Sequence, residues 1–269
     1  QILLFSNNME YEDDSIEQLQ GAFYSTTSKG DVFFNNFREE EKTKLQAFIS
    51  DENENIENFI LKDLNQPTIK YGKEFHTNKN LNTPTNRAII SLFSKERLFD
   101  FIKYGIVYVN RMETGELEKH IMRYQQFFAS KNIQYELEKG IRKGIIWHTQ
   151  GSGKTALAYF NVKWLSDYFQ KKNIITKFYF IVDRLDLKKQ ATSEFNSRGL
   201  KTINIDSKQE FVKDLKNTSA LTGNSGENEI TVVNIQKFSD DSRATNQNDY
   251  NLNIQRIYFI DEAHRSYNP

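Results

Sequence analysis

The stretch GIIWHTQGSGKTALAYF (144–160) restricts what this chain can fold into more than any other. The apolar run at 144–147 reads as a strand. It enters a turn holding two glycines, and the turn opens a segment with helical periodicity over 154–172. In that segment Leu157, Phe160, Trp164 and Tyr168 form one apolar stripe. Ala158, Val162, Leu165 and Phe169 form the next, so the helix buries a broad face. The same alternation continues downstream. Residues 177–183, 202–205, 229–236 and 255–263 read as strands, and 185–195 and 208–217 as helices. Strands alternating with helices imply an α/β fold whose parallel sheet is covered on both faces. Two polar stretches, 217–229 and 239–253, read as mobile loops.

The first half has no such rhythm. QILLF and GAFYSTT look like strands, and 39–50 and 95–105 like helices, which gives an α+β or mostly helical region. With 269 residues the chain has room for one large domain or two ordinary ones. Its 36 basic and 36 acidic residues cancel, so a nucleic-acid partner would have to be met by local patches rather than by bulk charge. It has no cysteine, which excludes disulfides and thiolate zinc sites and fits a reducing cytoplasm. Its apolar runs are strand-sized, too short for a membrane-spanning helix. Gln1 stands at the start and the basic-then-apolar plan of a signal peptide is missing, so the chain reads as a piece of something longer.

The chemistry lies in two turns. In HTQGSGKT the backbone N–H groups of Thr149, Gln150, Gly151, Ser152 and Gly153 and the positive end of the following helix converge on one point, which makes an anion site. Gly151 and Gly153 let the backbone wrap a phosphate. Lys154 would reach the β- and γ-phosphates of a nucleotide, and the Thr155 hydroxyl would ligand Mg²⁺. The bland alternative is a glycine turn beside a solvated lysine, and the flanking strand and helix weigh against it. The second turn, in IYFIDEAHRS (257–266), ends an apolar strand in two carboxylates. Ligands of open α/β sheets bind at the carboxyl ends of strands, so the two turns are expected to converge. Asp261 would then hold Mg²⁺ and Glu262 would orient or deprotonate an attacking water. Taken alone, those carboxylates fit an acidic strand cap equally well. Other candidates are weaker. His76 and His120 lack ligand spacing. Glu40-x-Lys42 matches the E-x-K of restriction-type nucleases in form only, because it falls in a polar run that reads as helix.

The glycine-rich loop followed by Asp-Glu-Ala-His resembles superfamily 2 helicases and translocases, in which the first loop position is often not glycine; His148 fits there. IIWHTQGSGKT, FIVDRLDL, VNIQKF and FIDEAHRS together are similar to the motor (R) subunit of type I restriction enzymes. So are TPTNRAIISLFSKERLFDFIKYGIVY (83–108) and RYQQFFA (123–129). The likeness covers 83–269 strongly and 1–82 loosely. It implies a RecA-like P-loop lobe over 141–269, a helical connector over 83–140, and over 1–82 the end of a nuclease-like domain whose catalytic core is absent. It implies ATP and Mg²⁺ as cofactors, with His264 added to the nucleotide site. Arg123 and Tyr124 would frame the adenine, and Gln125 would hydrogen-bond its edge. Arg184, Gln236 and Lys237 would contact DNA, although each also suits a solvated position. The implied activity is ATP-dependent translocation of duplex DNA coupled to endonucleolytic cleavage, as in a type I site-specific deoxyribonuclease. The implied partners are double-stranded DNA and the methyltransferase (M) and specificity (S) subunits, in the cytoplasm. The segment reads as internal, stopping before the coupling motif and second lobe of that family. A different superfamily 2 motor, or a scaffold retaining a P-loop without turnover, are the other readings; intact Lys154, Thr155, Asp261 and Glu262 argue against a scaffold.

Overall fold

A computed structural model of the chain describes residues 2–7, 21–27, 33–40, 43–49, 53–111, 115–216, 228–234 and 254–263. Most of the two polar stretches read as mobile loops lies outside these residues. The chain forms two compact units, Gln1–Ile106 with Lys119–Phe127, and Val107–Glu118 with Phe128–Pro269. Their boundaries fall inside the 83–140 segment. Among the described residues no helix is long and apolar enough to cross a membrane.

The first unit opens on an antiparallel sheet of β1 (Ile2–Asn7), β2 (Gly21–Thr26) and β3 (Asn35–Phe37), in that order. Helices α1 (Glu54–Asp63), α2 (Lys73–Asn78), α3 (Pro84–Phe93) and α4 (Lys95–Tyr104) follow. The core is aromatic. Tyr24 is fully buried, with its ring edge-on to Phe37 at 5.9 Å and to Phe101 at 5.4 Å. Its hydroxyl donates to the Met122 carbonyl at 2.6 Å, so the polar end of a buried ring is satisfied. The helix expected over 39–50 does not form. Among the described residues of that stretch, Glu39 and Glu40 are non-helical, and the only helical turn is a 3₁₀ turn at Leu45–Phe48. The reason is Glu39, which a helix would have left on a solvated face. It is 5 % exposed and accepts hydrogen bonds from Thr43, Ser91 and Arg97, which anchors the chain to α3 and α4. Glu40 lies in that same non-helical stretch, and Lys42 lies outside the described residues.

A two-stranded ribbon, β4 (Ile106–Asn110) and β5 (Leu117–Ile121), and helix α5 (Tyr124–Glu138) come next. The second unit is built on α6 (Lys154–Gln170), β6 (Ile175–Val182), α7 (Leu185–Ser197), β7 (Lys201–Ile205), α8 (Lys208–Lys216), β8 (Glu229–Asn234) and β9 (Ile254–Ile260). The four strands form a parallel sheet in the order β7-β8-β6-β9. Central β6 is almost continuously buried, as a strand covered on both faces must be. Phe180 packs edge-on to Phe195 of α7, and its neighbour Tyr179 edge-on to Phe211 of α8. Successive side chains point to opposite faces, so helices flank both sides of the sheet. This is the RecA-like α/β arrangement expected.

The strand expected at 144–147 is not formed. Residues 141–149 carry no regular structure, and Ile145 and Trp147 are 91 % and 90 % exposed. Composition favours a strand there, but a strand exists only by hydrogen bonding to a neighbour. Among the described strands, β9 pairs with β6 alone, and no strand lies alongside 144–147.

Candidate functional site

The glycine-rich turn is held by backbone geometry. Gly151 and Gly153 have φ of +76° and +78°, the left-handed region that an L side chain enters only under strain. Ser152 N–H donates to the Thr149 carbonyl at 3.3 Å between them. Gly153 is then the N-cap of α6 and brings no capping side chain. First-turn N–H groups of a helix have no partner within the helix, and the helix dipole adds positive potential there. Lys154 and Thr155, on that first turn, are half-buried, whereas Thr149 and Gln150 are exposed. His148 is half-buried, and burial followed by the nearby Lys154 charge lowers its pKa. At neutral pH it is therefore an uncharged imidazole, which leaves Lys154 as the cation of the turn.

The acidic turn follows β9. Asp261 N–H donates to the Ile181 carbonyl at 2.9 Å, which extends the β6–β9 ladder by one step. The chain then bends sharply. Glu262 has φ of +50°, and its N–H donates to Asp261 Oδ1 at 3.1 Å. This conformation swings the Glu262 carboxylate towards α6, and its Oε1 lies 3.9 Å from Lys154 Nζ. The two turns do meet, as the order of strands and helices implied. Burial, then the Glu262 charge, raises the Asp261 pKa; the Glu262 N–H and Lys154 oppose the shift, and Asp183 adds to it. A cation at Asp261 would relieve that accumulation of negative charge. The donors offered, a carboxylate and the Thr155 hydroxyl, are hard oxygens suited to Mg²⁺. Among the described residues no group of three His, Cys, Asp or Glu forms a ready metal cage. A site of the magnesium type uses one or two carboxylates together with substrate phosphates and water.

The other expected positions scatter. Arg123, Tyr124 and Gln125 start α5 and belong to the first unit. Gln125 is exposed, while its neighbour Gln126 is buried and accepts from Arg123 N–H at 2.9 Å. Gln126 thus closes the helix start in the manner of a capping box, and Gln125 is the glutamine left facing outwards. Arg184 is exposed at the N-cap of α7. Gln236, Lys237 and His264 lie outside the described residues. Asp183 is a residue whose place the sequence did not disclose. It suits a helix first turn, yet α7 starts at Leu185 and only Asp186 stands in that turn. Asp183 lies instead at the carboxyl end of β6, buried, beside the strand that carries Asp261. Its position at a strand end next to an acidic strand end was the available signal.

The sequence pattern of the SWI2/SNF2 ATPase matches residues 125–268, more than half of the chain and both turns. The chain is also homologous to endonuclease subunits of type I restriction enzymes. It is 33 % identical over 185 residues to the HindI endonuclease subunit of Haemophilus influenzae, covering 65 % of this chain and 17 % of that protein. It is 31 % identical over 150 residues to the SsaAORF53P endonuclease subunit of Staphylococcus saprophyticus, covering 54 % and 14 %. A Methanocaldococcus jannaschii protein carrying the provisional name type I restriction enzyme MjaVIIP endonuclease subunit is 32 % identical over 166 residues, covering 56 % and 15 %. The chain therefore spans about one sixth of the length of these relatives or less.

Proposed function

Because the chain belongs to the SWI2/SNF2 ATPase family, we propose that it is the ATP-binding first motor lobe of a type I restriction endonuclease (R) subunit. In this reading residues 141–269 form the lobe, 83–140 the connector that carries the adenine-reading segment, and 1–82 the end of a nuclease-like domain. The whole subunit would translocate duplex DNA at the expense of ATP and cleave it, in complex with methyltransferase and specificity subunits. Homology to endonuclease subunits supports this choice among helicase-like ATPases.

The observation that carries the proposal is the approach of Lys154 to Glu262 at 3.9 Å across two turns that no local sequence constraint joins. Lys154 binds the β- and γ-phosphates, and the Thr149–Gly153 backbone wraps them. Thr155 and Asp261 would hold Mg²⁺, which would supply positive charge beside the phosphates. Without nucleotide, Glu262 is paired with Lys154. Phosphate draws Lys154 away from this pair, and the Glu262 carboxylate accepts a proton from the attacking water. Gln125 reads the adenine edge, with Arg123 and Tyr124 framing the base and His264 completing the nucleotide site. Arg184, Gln236 and Lys237 would contact DNA.

Lys154→Ala tests this. The 269-residue chain is titrated with ATP and MgCl₂ in a calorimeter, and the variant is expected to lose measurable binding while keeping its far-ultraviolet circular dichroism. In the full-length subunit, the same change is expected to stop ATP-driven displacement of a DNA triplex. Unaltered binding and displacement by the variant would remove the phosphate role of this turn.

A further inference from the structure

Asp183 is the first residue beyond β6, and Asp261 is the first beyond β9. The two strands are parallel neighbours with Ile181 opposite Ile260, so both carboxylates lie at one edge of the sheet. The charge of Asp183 is felt at Asp261. Asp183 is only 8 % exposed, and its Oδ1 is buried without a hydrogen-bond partner among the described residues. Arg184 Nε stands 3.9 Å from its Oδ2. Helix capping does not account for it, because the N-cap of α7 is Arg184 and no side chain closes that helix start. A buried carboxylate oxygen without a donor is costly, and such groups in native proteins generally have a partner in the working state.

We propose that Asp183 is an outer positioning carboxylate of the nucleotide site: it accepts a hydrogen bond from a water on the divalent cation held by Asp261 and Thr155, and so sets the affinity for that cation. This rests on the nucleotide site proposed above. It follows from what the site lacks. Magnesium gives up its waters reluctantly, so a site with one carboxylate and one hydroxyl leaves several waters in place. Those waters point hydrogens outwards and need acceptors, and outer acceptors of this kind commonly change metal affinity 10- to 100-fold. Asp183 offers such an acceptor at the right edge of the sheet, already buried.

The test measures fluorescent mant-ADP binding to the 269-residue chain across a MgCl₂ series and in EDTA, for the unaltered chain, Asp183→Leu and Asp183→Asn. The leucine variant removes the acceptor and is expected to raise the half-saturating Mg²⁺ concentration about tenfold. The asparagine variant keeps shape and one acceptor oxygen, and is expected to show a smaller rise in the same direction; it carries the test if the leucine variant does not fold. Affinity in EDTA should be equal in all three. Ligand-free Asp183→Asn should melt no lower than the unaltered chain, because it removes a buried carboxylate whose Oδ1 has no donor among the described residues and whose contact with Arg184 is long and open to solvent. Unchanged Mg²⁺ dependence in the variants, or equal weakening with and without Mg²⁺, overturns the role given to Asp183 alone. An unaltered chain that binds no mant-ADP at any Mg²⁺ concentration overturns the nucleotide site, and Asp183 with it.

Discussion

Glu262 is where fold stability and chemistry pull in opposite directions, and the conflict can be measured. Among the described residues three non-glycine positions have positive φ: Asn65, Asn173 and Glu262. Asparagine tolerates that region; for glutamate it brings Cβ against the following carbonyl at roughly 1–2 kcal/mol. The compensating pair with Lys154 is long at 3.9 Å, and about a third of each side chain is open to solvent. Such a pair contributes about 0–1 kcal/mol. Glu262→Ala therefore loses the pair and keeps the strain, whereas Glu262→Gly loses both. Glycine gives back about 0.4–1 kcal/mol through its freedom in the unfolded chain. The balance leaves Glu262→Gly more stable than Glu262→Ala by roughly 0.5–1 kcal/mol, or about 1–4 °C in melting temperature for a chain of this size. At an ordinary helical or extended position the sign reverses, with glycine the less stable by roughly 0.5–1 kcal/mol. Thermal melts of the two ligand-free variants, followed by circular dichroism, read the sign directly. ATP hydrolysis should be lost in both. An alanine variant that melts above the glycine variant would refute the left-handed turn and, with it, the reason given for the Glu262 carboxylate reaching Lys154.

Two further outcomes follow from the first unit. Gln125→Ala should weaken use of ATP more than of GTP, with about 1–3 kcal/mol of discrimination lost by analogy with bidentate adenine contacts; equal loss for both nucleotides in turnover assays would make Gln125 structural. Burial alone would raise the Glu39 pKa, but hydrogen bonds from Ser91, Thr43 and Arg97 together with the Arg97 charge outweigh it, and the net shift is downward. A lowered carboxylate pKa stabilises the fold above the unfolded-state value, and that contribution is lost as pH falls through the folded one. Glu39→Gln should accordingly flatten the acid limb of the stability–pH curve, and Glu39→Ala should destabilise by about 3 kcal/mol because it breaks a largely buried ion pair with Arg97; an unaltered acid limb in Glu39→Gln would show that the cluster contributes nothing.

What could be read from the sequence was what local chemistry dictates. The α6 helix was expected from 154 and begins at Lys154 because glycines at 151 and 153 permit one backbone path and apolar periodicity follows directly. The strands β6 to β9 were legible because each is a short apolar run between polar breaks. Expectations failed where the outcome depends on a distant partner. GIIW has the composition of a strand, but pairing decides, and none of the described strands lies beside it. Glu39 looked like one more charge in an acidic run; Ser91 and Arg97, more than 50 residues away, make it a buried anchor.

The same distinction explains why the candidate site was half legible. Lys154, Thr155, Asp261 and Glu262 stand out by residue type and spacing, since the phosphate and magnesium site proposed for them calls for a lysine, a hydroxyl and carboxylates at turn positions. Asp183 does not, because in sequence it is one acid two residues before a helix, and acids there are ordinary. Its character comes from topology. β6 is central, so its carboxyl end is buried as far as Asp183, and β9 is its parallel neighbour, so that burial falls beside Asp261. Had β6 been an edge strand, Asp183 would be a solvated acid with water to satisfy it. The sheet order β7-β8-β6-β9 thus turns an unremarkable carboxylate into one whose Oδ1 is buried with no hydrogen-bond donor among the described residues, an acceptor that the proposed water on the cation would satisfy.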